Sequence, residues 1–173
     1  MTSDTGAGRP LLATLETACG KGVVTVRDSF GIDIETVWSA ITDPARLAIW
    51  WGDVEGDLRL GGEYRARVLA SGWEGTGRVQ ACEPPRRLLL LHREPDQPDE
   101  QSVEITLTAD GGKTTVTWEE RGMPVGYLAG YGAGIQVHVE DLGAYLAGRE
   151  RCDAGARMEQ LYPAYEPLAA KII

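Results

Sequence analysis

His92, Glu120 and His138 are the side chains of this 173-residue chain best placed to move a proton. His92 follows Leu88 and Leu90 at alternate positions, so on a strand the three share one face. An imidazole there, with an unperturbed pKa of about 6.5, can act as base or donor. Glu120 alternates in the same way with Val116 and Trp118. Apolar surroundings raise a carboxyl pKa, and a carboxyl poised near neutrality transfers protons. His138 follows Ile135 by three residues and borders an apolar helix stripe, where it would face the mouth of a pocket. Two histidines without carboxylates at ligand spacing do not make a metal site. Ser39 and Ser71 lack a nucleophile motif. The run Gly111-Gly112-Lys113-Thr114 lacks the leading glycine and the following helix of a phosphate loop. The glycines of residues 126–134 do not form a dinucleotide fingerprint. No cofactor is implied.

The aromatic residues say more than the titratable ones. The chain has five tryptophans and one phenylalanine. Trp50 and Trp51 form a doublet between a helix and a sheet. With Tyr64 and Trp118 they can stack on an aromatic ligand. Val68, Tyr131, Ile135 and Val139 complete the expected apolar lining of a ligand site that also includes His92 and His138.

These residues need elements to position them. Residues 13–17 and 23–30 alternate on either side of a turn and read as a hairpin. Asp33 is an N-cap for a helix carrying Ile34, Val37, Trp38 and Ile41 on one side. Asp43-Pro44 ends that helix and starts a second, with proline in the first turn. From Gly61 the apolar period changes to two. Strands are expected over residues 63–68, 73–82, 88–93, 103–107 and 116–120, with Glu83-Pro84-Pro85-Arg86 and Asp110-Gly111-Gly112 as turns. Arg65 and Arg67 fall on the solvent side. The glycine content of residues 122–134 argues against helix, so this segment is read as a loop in which Tyr127 and Tyr131 could gate a pocket. Ile135, Val139, Leu142 and Leu146 then mark a helix of about 13–15 residues ending at Gly148. Residues 153–173 read as an amphipathic segment interrupted by Pro163 and Pro167.

Seventeen Lys and Arg against twenty-six Asp and Glu give a net charge of −9. This balance disfavours nucleic acid and anionic membrane surfaces, both of which attract clustered basic residues. No apolar run reaches membrane-spanning length and residues 1–10 do not resemble a signal peptide, so a cytoplasmic protein is expected. Cys19, Cys82 and Cys152 are widely spaced and suggest neither disulfides nor zinc.

The segments 37–44, 50–51, 61–64, 83–88 and 140–146, in this order, resemble the SRPBCC or START-like helix-grip superfamily. The most similar branch is the one named for the activator of the heat-shock ATPase. The resemblance spans about residues 12–148. It implies an α+β fold, in which a curved antiparallel sheet of about six to seven strands wraps around a long C-terminal helix, with two short helices after the first strand and an apolar cavity between sheet and helix. Residues 1–11 are then a flexible tail and residues 149–173 an extension. Fold alone does not give function. The leading expectation is a binder of a hydrophobic or aromatic small molecule. The alternatives are a cyclase or hydro-lyase using His92 or Glu120, and a co-chaperone-like interaction domain. The extension is expected to expose an apolar patch, to pair two copies as a homodimer, or to pack back on its own domain.

Overall fold

The computed structural model describes residues 10–95 and 97–172. The expected tail therefore lies outside the described residues except for Pro10 and Leu11. Eight strands form one antiparallel sheet: β1 (Ala13–Ala18), β2 (Lys21–Phe30), β3 (Gly52–Gly56), β4 (Glu63–Val68), β5 (Glu74–Glu83), β6 (Arg87–Arg93), β7 (Glu100–Asp110) and β8 (Lys113–Met123). Their order across the sheet is β1-β2-β8-β7-β6-β5-β4-β3. Helices α1 (Ile34–Thr42) and α2 (Pro44–Trp50) follow the first hairpin and carry the chain to the opposite edge. Helices α3 (Leu128–Leu146) and α4 (Ala154–Ala170) complete the fold.

Local chemistry accounts for most of these elements. Cys19 and Gly20 both have positive φ (52° and 76°), as do Gly111 and Gly112 (54° and 83°). Two such residues give a tight turn whose twist matches the strands it joins. The Asp33 carboxylate accepts from the Thr36 amide at 3.1 Å and from its hydroxyl at 2.7 Å. Asp43 accepts from the Ala45 amide at 3.0 Å, with Pro44 opening α2 where no amide is needed. Tyr64, Ala66 and Val68 of β4 are buried, while Glu63, Arg65 and Arg67 are exposed.

Strand β3 was not expected, which makes the sheet one strand larger than the sequence suggested. Its sequence, Gly-Asp-Val-Glu-Gly, has no apolar alternation. It forms because Gly52 lies against the backbone of β4: a Cβ there would come within 2.3 Å of the Arg67 carbonyl oxygen. A short acidic strand is well suited to a sheet edge, where it discourages pairing with other chains.

The reading of residues 122–134 as a loop is overturned. Strand β8 runs to Met123, a single 3₁₀ turn covers Val125–Tyr127, and α3 begins at Leu128. Each glycine costs about 1 kcal/mol in helix propensity relative to alanine. Packing overrides this cost because Gly132 admits neighbours that a larger residue would push away: a Cβ would sit 3.1 Å from Leu15 and 3.4 Å from Tyr165. Helix α3 is accordingly 19 residues long.

Residues 154–170 are also a continuous helix. Leu161, Tyr165 and Ala169 are buried at i, i+4 and i+8, whereas Pro163 and Pro167 lie on the exposed face. The carbonyls that lose an amide partner to proline therefore face water. Helix α4 packs back on its own chain, against α3. The Arg157 guanidinium donates to both Glu140 oxygens (2.8–3.0 Å), and the Cys152 amide donates to Asp141 at 3.0 Å.

The glycines of α3 lead to a contrast. Gly134 has nothing within 4 Å of a would-be Cβ, so Gly134→Ala should raise stability by about 0.5–1 kcal/mol. Gly132→Val should lower it by about 1–3 kcal/mol through overpacking against Leu15 and Tyr165. Urea unfolding midpoints of the two variants check the opposite signs.

Candidate functional site

The concave face of the sheet and one face of α3 enclose a cavity of about 650 Å³. Pairing registers place its wall row by row. Glu120 lies across from Val103, which lies across from Leu90; Trp118 lies across from Ile105, which lies across from Leu88. His92 is in the next row, beside Gly77 and Gln101. His92 and Glu120 therefore share a face two strands apart. Gly77 makes room for Tyr64: a Cβ there would lie 2.5 Å from the phenol oxygen.

Opposite the sheet, α3 contributes Gly130, Tyr131, Gly134, Ile135 and His138. These positions lie on one helical face, and the missing side chains of Gly130 and Gly134 leave the cavity its depth. Tyr127 of the 3₁₀ turn and Tyr162 of α4 also line it and are 57% and 43% exposed, so they form its rim. Four of the five tryptophans, Trp50, Trp51, Trp73 and Trp118, are in the wall. The fifth, Trp38, is in the core.

The sequence-expected residues are placed as follows. Trp50, Trp51, Tyr64, Val68, His92, Trp118, Glu120, Tyr131, Ile135 and His138 all border this cavity. Val139 does not: it is fully buried in the core and is not among the residues that line the cavity. Tyr131 sits on a helix rather than in a loop and donates from its hydroxyl to Gln101 at 3.1 Å. The tryptophan doublet splits in role. Trp50 is 1% exposed and is anchored by its indole N–H to the Ala40 carbonyl at 2.9 Å. Trp51 meets His138 edge-on at 6.3 Å, and His138 stacks on Trp118 at 5.8 Å.

Sequence reasoning missed Glu94, Trp73 and Tyr162. Glu94 continues the alternation Leu88, Leu90, His92, and that period was the available signal. Its carboxylate accepts from the Trp73 indole at 2.7 Å and lies 3.6 Å from His92 Nε2. Trp73 follows a glycine turn and carries no periodic signal; Tyr162 belongs to the apolar set of the amphipathic C-terminal segment, but nothing local shows that this segment borders the cavity.

Burial sets the electrostatics. It raises the Glu120 carboxyl to about 7, against a hydrogen bond from the Trp118 indole at 3.1 Å and reinforced by the charge of Glu94. Glu120 is half-buried and lines the cavity. Burial lowers His138 to about 4, so it is neutral at physiological pH. It also lowers His92, although Glu94 and Gln101 oppose the shift. Tyr64 and Tyr131 are both raised to about 12, chiefly by burial, and stay protonated. Among the described residues no group of His, Cys, Asp and Glu could hold a metal ion. No described helix is long and apolar enough to cross a membrane.

A family model described as Activator of Hsp90 ATPase homolog 1-like protein matches residues 32–147. The chain belongs to this family. Its helix-grip fold recurs in solved structures. CalU16 from Micromonospora echinospora is 25% identical, with a TM-score of 0.76 over 91% of this chain and 97% of that one. DynU16, from the dynemicin biosynthetic locus, is 31% identical with a TM-score of 0.68; the match covers 76% of this chain and half (50%) of DynU16. PFC0360w, an HSP90 activator from Plasmodium falciparum, is 17% identical with a TM-score of 0.52 over 60% of this chain and 74% of that one, and shares the fold alone. No curated protein matches the sequence.

The raised Glu120 pKa has a consequence for stability. Unfolded, this carboxyl ionises near its ordinary value of 4.5; folded, near 7. Folding disfavours the ionised form, so stability falls as pH rises between those values and the penalty is constant above them. Glu120→Gln removes the penalty. Its stability advantage over the parent should grow from about pH 4.5 to about pH 7 and level off at roughly 3 kcal/mol. Chemical denaturation at a series of pH values measures it, and an advantage independent of pH would contradict the burial of Glu120.

Proposed function

We propose that this protein binds an extended aromatic small molecule in the cavity between the sheet and α3. The observation that carries this reading is a 650 Å³ space with four tryptophans in its wall. That volume lies within the usual range of small-molecule sites, and such sites are mostly apolar with few polar groups. The ligand would enter past Tyr127 and Tyr162 and stack on Trp51 and Trp118. The similarity to DynU16, from a biosynthetic locus, supports a role connected with a small product rather than a macromolecule. The three cysteines are unpaired, which suits the cytoplasmic setting we propose.

One observation favours a second reading, proton transfer to a bound substrate: the Glu120 carboxyl, near neutrality, faces the cavity. Product formation that is lost in Glu120→Gln would support it. An interaction role through α4 has less support, because Leu161, Tyr165 and Ala169 turn inward.

Thermal shift with aromatic polyketides, flavonoids, steroids and fatty acids, read alongside tryptophan fluorescence, tests the binding reading. A ligand at 100 times its Kd should stabilise by about 2.7 kcal/mol and quench the wall tryptophans. Gly134→Leu, which projects a side chain into the cavity, should stay folded and bind at least about tenfold more weakly, a loss of about 1.4 kcal/mol. Stabilisation by no compound class, or binding by Gly134→Leu equal to the parent, would contradict the reading.

A further inference from the structure

The charge inside the cavity is one-sided. Two carboxylates, Glu94 and Glu120, line it, and no Lys or Arg does so among the described residues. Neither carboxylate has a lysine or arginine within salt-bridge distance among the described residues; the contact is His92, 3.6 Å from Glu94. His92 is itself buried, and burial favours its neutral form. A carboxylate largely withdrawn from water and left without a cation is costly, and among the described residues no lysine or arginine offsets that cost. Each carboxylate instead accepts one indole N–H, Glu94 from Trp73 and Glu120 from Trp118. Aromatic rings that attract cations therefore flank both acids. Two further polar atoms on wall residues, Trp51 Nε1 and His138 Nδ1, have no partner among the described residues. The whole chain, at −9, adds to the attraction for a cation.

We propose that the ligand of this cavity is an aromatic compound bearing a protonated amine, which Glu94 and Glu120 recognise while the tryptophans hold its rings. This inference rests on the cavity being a binding site and specifies the chemical class that it takes. The ammonium donates to the free lone pairs of the two carboxylates and lies against the flanking rings. An anionic ligand meets two like charges with no counter-ion in the wall. A neutral ligand fills the volume and leaves the carboxylates uncompensated.

Three anthracenes of nearly equal size, substituted at position 9 by aminomethyl, hydroxymethyl or carboxylate, separate these cases by fluorescence titration. At about pH 8 the amine is cationic and Glu120 is ionised. The amine should then bind at least about tenfold tighter than the alcohol, and the carboxylate weakest of the three. Glu94→Gln and Glu120→Gln preserve shape and keep an oxygen for the indole N–H. Each should shrink the amine's advantage over the alcohol at least about threefold. An amine that binds no tighter than the alcohol overturns the proposal and leaves the binding cavity standing. An advantage unchanged in both variants also overturns it, because the attraction is then that of the whole acidic surface. If none of the three binds, the cavity reading fails and takes this proposal with it.

Discussion

Gln136, buried in the middle of α3, receives hydrogen bonds from two other elements. Its side-chain oxygen accepts from the Leu12 amide at 3.1 Å and from the Tyr165 hydroxyl of α4. Its amide nitrogen donates to the Pro10 carbonyl at 3.3 Å, and the Ala13 amide donates back to Tyr165 at 2.8 Å. The start of β1, α3 and α4 are thus tied at one point. Buried polar groups of this kind cost about 1–3 kcal/mol each when left unpaired, so the helix cannot slide without breaking the arrangement. At 100° per residue, Gln136 points away from the face that carries Gly134 and His138. The tie holds α3 from behind and leaves its other face free to stand over the sheet.

The cavity follows from that stand-off. A helix that carried large side chains at positions 130 and 134 would fill the space, and a helix free to move would collapse onto the apolar strands. Glycines on one side and a polar anchor on the other keep a volume that hydrophobic packing would otherwise close. Helix α4 is part of the same device: it supplies Tyr165 to the anchor and Tyr162 to the rim. Within the volume, low polarity holds His138 neutral and Glu120 near neutrality, while Glu94 keeps an indole partner. The result is an aromatic box with acidity concentrated where β6 and β8 face α3.

The sequence disclosed the parts whose signals are local. Aspartates at 33 and 43 mark helix starts because capping needs only a carboxylate and the next few amides. Paired turn residues mark hairpins, and the period of two places His92 and Glu120 on the concave face. Parts that depend on distant partners were hidden. Strand β3 has no pattern of its own and exists because Gly52 can lie against Arg67. The first turns of α3 look too rich in glycine for a helix until Leu15 and Tyr165 are seen packed on Gly132. The prolines of α4 suggest an interrupted segment, but both fall on the face where a lost hydrogen bond goes to water. Glu94 was legible by periodicity. Trp73 was not, because its position depends on the turn at Gly72 and on the indole contact with Glu94.

The central claim is that a small aromatic molecule occupies the space between the sheet and α3. Methyl chemical-shift mapping during titration with 9-(hydroxymethyl)anthracene tests it most directly, since the probe is neutral and reports the cavity alone. Ile41, Leu88, Leu90, Val103 and Ile135 line that space, and their methyl signals should move together along one saturable curve. Exposed Ile49, Leu60 and Leu69 should stay in place. Shifts confined to those exposed methyls, with the cavity methyls unmoved, would contradict the account.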